Sequence, residues 1–268
     1  MAAVPVALTI AGSDSGAGAG IQADLKTFAA YGVYGVCAVT AITAQNTQGV
    51  SAVEAVSAEV VRAQIQAVMA DFAVRAAKTG MLATADLVRV VAAAVRDLQV
   101  PNLVVDPVMV AKSGDSLLAA DAVQSIRTTL LPLAAVVTPN IPEAEALTGM
   151  AIRSDADVDE AARRITALGP AAVVVKGGHA DGPDIVDVLF DGVTVRRFQQ
   201  PRIPGSATHG TGCTFAAAVA AHLAHGRSLA DAVPVAQRYI AGAIAGAPGL
   251  GQGHGPMDHF WHLRRELN

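Results

Sequence analysis

Short, continuously apolar runs alternate with Ala-rich helical patterns along most of this chain, and that alternation restricts its fold more than any other feature. Val4–Ala11, Val36–Thr43, Val74–Thr79, Leu103–Asp106, Ala134–Thr138 and Ala171–Lys176 have strand character. Helical runs fall at Gly20–Tyr31, Glu59–Phe72, 85–98, 119–130 and 157–168, with Val60, Ile65, Val68 and Met69 near one face of the second. Strands apolar at every position are buried on both faces, and βα repetition implies right-handed crossovers. The expected fold class is therefore α/β, a doubly wound, mostly parallel sheet with helices on both faces, in one domain over residues 1–268. The pattern changes once, at Asp184–Phe198, where two strand-like runs flank Asp191-Gly192 and predict an antiparallel edge hairpin. Helices at about Thr211–His225 and Ala230–Ala247 and a short one around Met257–Glu266 complete the expectation.

Composition excludes several classes. With 52% hydrophobic and 16% charged residues the chain can bury its own core, which rules out disordered, collagenous and disulfide-scaffold proteins. A net charge of -4 and no cluster of Lys and Arg leave nothing to hold a phosphate backbone, so no nucleic-acid partner is expected. Cys37 and Cys213 are the only cysteines and lie far apart, which points to a reducing, cytoplasmic location. Cys37, inside an apolar strand, is expected to be a packing residue. The N-terminus lacks the positive region of an export signal, and the apolar part of Ile203–Arg227 is shorter than the ~20 residues a membrane span needs. The abundant alanine is taken to reflect genome composition.

Two glycine-rich loops follow strand-like runs, where backbone N–H groups can approach phosphate without a Cβ in the way. The first, Gly12–Lys26, carries glycines at 16, 18 and 20 but Ile at 21, so the dinucleotide-binding spacing G-x-G-x-x-G fails. The dipeptide Gly-Lys is absent, which excludes a Walker A loop. The second, His209-Gly210-Thr211-Gly212-Cys213-Thr214, stands before a strongly apolar helix. Free N–H groups at that helix start would form an anion hole with the helix dipole behind it; an ordinary turn capped by Thr211 is the alternative. Cys213 sits in that positive field, which should favour its thiolate. His259 and His262, three apart, have the spacing of metal ligands but no third partner.

Seven segments occur in order: GSDSGAGAGIQADLKTF at the first loop, AITAQNTQGV at 41–50, KTGML at 78–82, VVDPVMVAKSGD at 104–115, TPNIPEAEAL at 138–147, VVVKGGH at 173–179 and ATHGTGCTF at 207–215. Together they resemble the hydroxymethylpyrimidine/phosphomethylpyrimidine kinases of thiamine biosynthesis, within the ribokinase-like superfamily, from about Leu8 to the GHGP at 253–256. The resemblance implies a ribokinase-like fold and an enzyme that moves the γ-phosphoryl of ATP twice. The first acceptor is the hydroxymethyl group of 4-amino-5-hydroxymethyl-2-methylpyrimidine, the second the phosphate just formed. It also implies Mg²⁺ and a homodimer.

By the same resemblance, Gly210, Thr211, Gly212, Cys213 and Lys176 are catalytic. Asn140, Glu143, Lys176, Thr208, Gly210 and Gly212 hold ATP, and Gly12, Asp24, Gln45, Gly80, Met81 and Val108 line the pyrimidine pocket. Glu143, in the superfamily's N-x-x-E motif, places the metal. Asp106, at the end of a strand, is a second metal-shell or base candidate. For Glu143 a plain helix-start carboxylate is the alternative, for Lys176 a solvated lysine, and for Met81 and Val108 simple core packing. Many ribokinase-like enzymes carry an aspartate base where Cys213 stands, which places the chain nearer the pyrimidine kinases and some pyridoxal kinases.

Overall fold

A computed structural model describes residues 3–109, 121–179, 182–205 and 207–263. Helical residues 119–120, the 110–115 part of the VVDPVMVAKSGD segment and the end of the expected C-terminal helix lie outside them. In chain order the elements are β1 (Val6–Asp14), α1 (Gly20–Ala30), β2 (Tyr34–Gln45), β3 (Val50–Ala55), α2 (Ala58–Asp71), β4 (Val74–Thr79), α3 (Ala85–Asp97) and β5 (Leu103–Val105). There follow α4 (Ala122–Ser125), running on into a π turn, then β6 (Val136–Val137), α5 (Ile141–Thr148), α6 (Asp155–Thr166) and β7 (Val173–Val175). The chain continues with β8 (Asp184–Phe190), β9 (Val195–Pro201), α7 (Thr211–Ala224) and α8 (Leu229–Ala245).

Among the described residues these strands form one nine-stranded sheet in the order β3-β2-β1-β4-β5-β6-β7-β8-β9. The run from β2 to β7 is parallel, while β3, β8 and β9 pair antiparallel. Alternate residues of β1 show how the two faces are filled. Leu8 and Ile10 join a core with residues of α2 to α6, and Ala7 joins a second with α7 and α8. Two layers of helices on one sheet is the expected ribokinase-like architecture, and the hairpin at Asp191-Gly192 forms one sheet edge.

Four local expectations change. β3 was not expected: five of its six residues are exposed, so it has no apolar signature, and it occupies the other sheet edge. α5 is eight residues long, too short to show a helical period. In α2, Val60 is 49% exposed and Val61 faces the core in its place. Residues 259–263, within the expected end helix, are turns. The alanines of α7 also have a structural use: Ala216–Ala218, Ala220 and Ala221 have no exposed surface, so the helix packs closely on the sheet.

The glycine-rich stretch after α8 fastens two distant loops. His254 donates its N–H to the Thr47 carbonyl (2.8 Å), and Gln252 and Gly253 donate theirs to Thr47 Oγ1. Pro256 pairs in a bridge with His209, and His259 Nε2 lies 3.1 Å from Thr214 Oγ1 on α7.

Candidate active site

Parallel strands bring their carboxyl ends to one edge of the sheet, the place where open α/β sheets bind ligands. There Asp14, Gln45, Asp106, Asn140 and Lys176, each ending or following a strand, open on a cavity of about 640 Å³. The first turn of α7, Thr211 to Cys213, forms part of the same wall.

Gly210 caps α7 with φ +80, and a Cβ there would overlap the Gly18 carbonyl, so the two glycine loops meet at a point only glycine fits. The helix start leaves the Gly212 and Cys213 N–H groups without an intrahelical acceptor. A Cβ on Gly212 would stand 3.3 Å from Lys176 Nζ and 3.8 Å from Asp106 Oδ2, so the missing side chain keeps open a space faced by N–H groups, an ammonium and a carboxylate. That is an anion hole with its counter-charge in place.

Lys176 Nζ lies 3.2 Å from Asp106 Oδ1. Burial works against the lysine's charge, but Asp106 and Glu143 outweigh it and hold its pKa above the ordinary value. Asp106 Oδ2 is buried with no hydrogen-bond partner. Asn140 and Glu143 form a reciprocal cap on α5: Asn140 Oδ1 accepts the Glu143 N–H (2.9 Å) and Glu143 Oε2 accepts the Asn140 N–H (2.9 Å). Both readings of Glu143 thus meet in one residue, which caps the helix and also lines the cavity. Burial pushes its pKa up to about 7, with Asp106 adding to the rise and Lys176 opposing it. An orphaned carboxylate oxygen beside a second buried carboxylate is a hard-oxygen donor set short of positive charge, which fits Mg²⁺.

On the side of β1, β2 and β4, Gly12, Gln45, Met81 and Val108 line the cavity, and Thr208 lines it beside the anion hole. Two residues placed in the pyrimidine pocket by resemblance are not on its wall. Asp24 has no exposed surface: both its oxygens lie 3.0 Å from the equally buried Lys78 Nζ, and Oδ2 accepts from Thr9 Oγ1 (2.6 Å). Gly80 lies behind the wall, where a Cβ would come within 2.9 Å of both Ala11 Cβ and Lys78 Nζ.

The expected thiolate at Cys213 is also corrected. Burial raises its pKa to about 11; Lys78 opposes the rise, but Asp24 and Asp106 add to it. These groups together favour the thiol over the thiolate. Cys213→Ala should therefore slow both phosphorylation steps by a similar factor, since a neutral thiol accepts no proton. Separate rates for the alcohol and the monophosphate check this, and a loss confined to the alcohol would restore a base role. His259 and His262 form no metal site: His259 bonds Thr214, burial holds its pKa down at about 4, and His262 packs edge-on against Tyr239 and Trp261. No group of three potential metal ligands occurs among the described residues.

Other residues of the site were not anticipated. Asp14 takes N–H groups from Gly16, Gly18 and Ala19 and stands 2.9 Å from His209 Nε2. Burial would raise its pKa, but His209 and these N–H groups bring it below the ordinary value. Asp187 accepts the Gly177 N–H (2.8 Å) and Gln237 Nε2 (2.8 Å) beside Lys176, and Ile203, Ile240 and Ile244 make the adjoining wall apolar. An aspartate inside a glycine loop was the available signal for Asp14. Asp187 lies in a strand pattern that gives none.

A ribokinase-like sheet with an anion hole, a half-buried lysine and paired carboxylates over one cavity defines a phosphotransferase acting on a small molecule. The phosphomethylpyrimidine kinase family model matches residues 14–258, and the chain belongs to that family. It is 49% identical to the hydroxymethylpyrimidine/phosphomethylpyrimidine kinase of Streptomyces coelicolor, over 97% of this chain and 96% of that protein. It is 52% identical to the thiamine biosynthesis bifunctional protein ThiED of Geobacter sulfurreducens, over 94% of this chain and 52% of that longer one. Among solved structures, the ADP complex of Bacillus subtilis pyridoxal kinase superposes with a TM-score of 0.90 at 42% identity, covering 99% of this chain and 100% of that one.

Proposed function

We propose that this chain transfers the γ-phosphoryl of ATP to the hydroxymethyl oxygen of 4-amino-5-hydroxymethyl-2-methylpyrimidine, and then a second one to the resulting monophosphate, in thiamine biosynthesis. The observation that carries the reading is the anion hole at Gly210–Cys213, facing Lys176 and Asp106 across the space left by Gly212. In each step an acceptor oxygen bonds to the γ-phosphorus, the bond from that phosphorus to the ADP oxygen breaks, and ADP departs. The N–H groups of Gly212 and Cys213 and the Lys176 ammonium take up charge on the moving phosphoryl group. With burial favouring the Cys213 thiol, the unpartnered Asp106 Oδ2 is the acceptor at the hole that receives the alcohol's proton in the first step. Asn140, Glu143, Lys176 and Thr208 surround the phosphates, and the apolar wall at Ile203, Ile240 and Ile244 takes the adenine.

Glu143 is the residue that would hold Mg²⁺, whose bound charge offsets that of the phosphates, with Asp106 outside its direct ligands so that Oδ2 stays free for the proton. Glu143→Gln tests this cleanly, because glutamine can still complete the helix cap while the charge is lost. The Mg²⁺ concentration needed for half-maximal nucleotide binding should rise about tenfold or more, one such factor being roughly 1.4 kcal/mol. An unchanged Mg²⁺ titration by calorimetry would reduce Glu143 to a helix cap. A homodimer and a cytoplasmic location accompany this reading; no described helix is long and apolar enough to cross a membrane.

Coupled ADP-release assays with the aminopyrimidine, its monophosphate and pyridoxal test the whole reading. Turnover of both pyrimidines is expected. Turnover of pyridoxal alone would overturn it in favour of a pyridoxal kinase, the activity named for the Bacillus subtilis structure.

A further inference from the structure

His209 lies on the cavity wall between the glycine loops, with Nε2 2.9 Å from Asp14 Oδ2 and 3.4 Å from the end of the Gln45 amide placed as Nε2, an end that shape alone does not distinguish from Oε1. The Asp14 carboxylate already collects three backbone N–H groups, so it acts only as an acceptor, and His209 Nε2 must carry a proton to meet it. A protonated Nε2 cannot accept from the NH₂ of Gln45. Its one proton points at Asp14, so an amide NH₂ at 3.4 Å would face an N–H, and the amide lies better with its oxygen there. The other end supplies an independent constraint. It stands 3.0 Å from Thr43 Oγ1, which is itself 3.1 Å from the Ser13 carbonyl. That amide end is placed as Oε1, so Thr43 Oγ1 faces two acceptors with one proton; turning the amide lets Thr43 donate to Ser13 and accept from the Gln45 NH₂, which satisfies both contacts. Both neighbours thus favour the amide turned from its placed orientation, with Oε1 toward His209 and Nε2 toward Thr43.

We propose that His209 and Thr43 are positioning residues that fix which way round the Gln45 amide lies, and through it which way round an aminopyrimidine sits. This rests on the cavity being the aminopyrimidine site. The amide's remaining N–H meets the ring nitrogen N3, and the remaining lone pair on Oε1 meets the 4-amino group. The 4-amino group then lies on the His209 side, and the hydroxymethyl on the neighbouring ring carbon points past it toward Gly210 and the anion hole. With the amide reversed, the ring binds through the same two hydrogen bonds turned over, and the hydroxymethyl points away from the phosphoryl group. A reversed amide thus costs turnover and leaves binding in place.

Steady-state kinetics on His209→Phe, which keeps a ring beside Gly18 but removes the donor, tests this. Turnover of the aminopyrimidine should fall about three- to tenfold, the scale of one hydrogen bond's preference. Its KM and the KM for ATP should stay within about twofold. His209→Gln, which restores an N–H near Nε2, should recover most of the rate, and Thr43→Val should reproduce the loss from the other anchor. Gln45→Leu alone should lower kcat/KM for the aminopyrimidine about 10- to 100-fold, and adding His209→Phe to it should change little more. If His209→Phe costs the same factor in the Gln45→Leu background as in the parent protein, His209 acts on the phosphate loop and the proposal is overturned. If His209→Phe does not fold, the Thr43→Val rate, alone and combined with Gln45→Leu, decides in the same way. If Gln45→Leu alone has no effect, the reading of Gln45 fails and takes the proposal with it, while the kinase assignment stands on the ADP-release assays.

Discussion

Lys176→Met is expected to cut turnover about 10²- to 10³-fold in both phosphorylation steps, the usual scale for losing one preorganised charge stabiliser. Methionine keeps most of the side-chain length, so the loss belongs to the ammonium. That ammonium sits 3.2 Å from Asp106 and faces the space above Gly212, where phosphoryl charge would develop. Without it, Asp106 and Glu143 are also left as neighbouring carboxylates with no cation between them. The pyrimidine KM should change far less than kcat, because Lys176 follows β7, on the far side of β5 and β6 from the Gln45 wall. Single-turnover rates for the alcohol and the monophosphate check both parts, and a loss under about threefold, well short of the scale for a charge stabiliser, would make Lys176 a structural partner of Asp106.

Lys78→Met should lower folding stability by about 3–5 kcal/mol, because it leaves Asp24 as a buried carboxylate without its partner. Burial pushes the Asp24 carboxyl up toward neutrality, while Asp24 holds the Lys78 ammonium well above its ordinary value. Contacts of 3.0 Å from one nitrogen to both carboxylate oxygens favour the charged pair. Replacing both partners, as in Asp24→Leu with Lys78→Met, should recover much of the loss, since an apolar pair of similar volume leaves no charge to bury. Urea unfolding of the two single variants and the double variant measures the coupling directly. A folded Asp24→Asn protein of undiminished stability whose pyrimidine KM had risen would return Asp24 to the substrate.

The parallel strands were legible because residues such as Val104, Val136 and Val174, buried between two helical layers, must be apolar at every position. β3 was not, since an edge strand with one neighbour and open faces needs no such pattern. The site divides along a similar line. Gly210, Gly212 and Lys176 stand next to strand or helix ends that the pattern locates. Asp24 and Gly80 belong to the same motifs as true wall residues, and a motif does not record which members point inward and which sit one layer behind. The sign of the Cys213 shift was illegible for a related reason: the sequence shows the helix start, while Asp24 and Asp106, which help raise the pKa, come from distant segments. The contact of Asp14 with His209 joins residues 195 apart, and nothing local to either announces it.

The glycine-rich stretch that grips Thr47 and pairs with His209 has a consequence for how the enzyme would fail. Residues 251–254 are exposed, while the segments they tie together belong one to the substrate side and one to the phosphate side of the cavity. A protease cutting there would leave both helical layers and the sheet intact and would release the two loops from each other. Buried Met257, Asp258 and His259 would still hold the cut end against α7 and α8, so the damage would show first in an assay of turnover rather than in a test of foldedness.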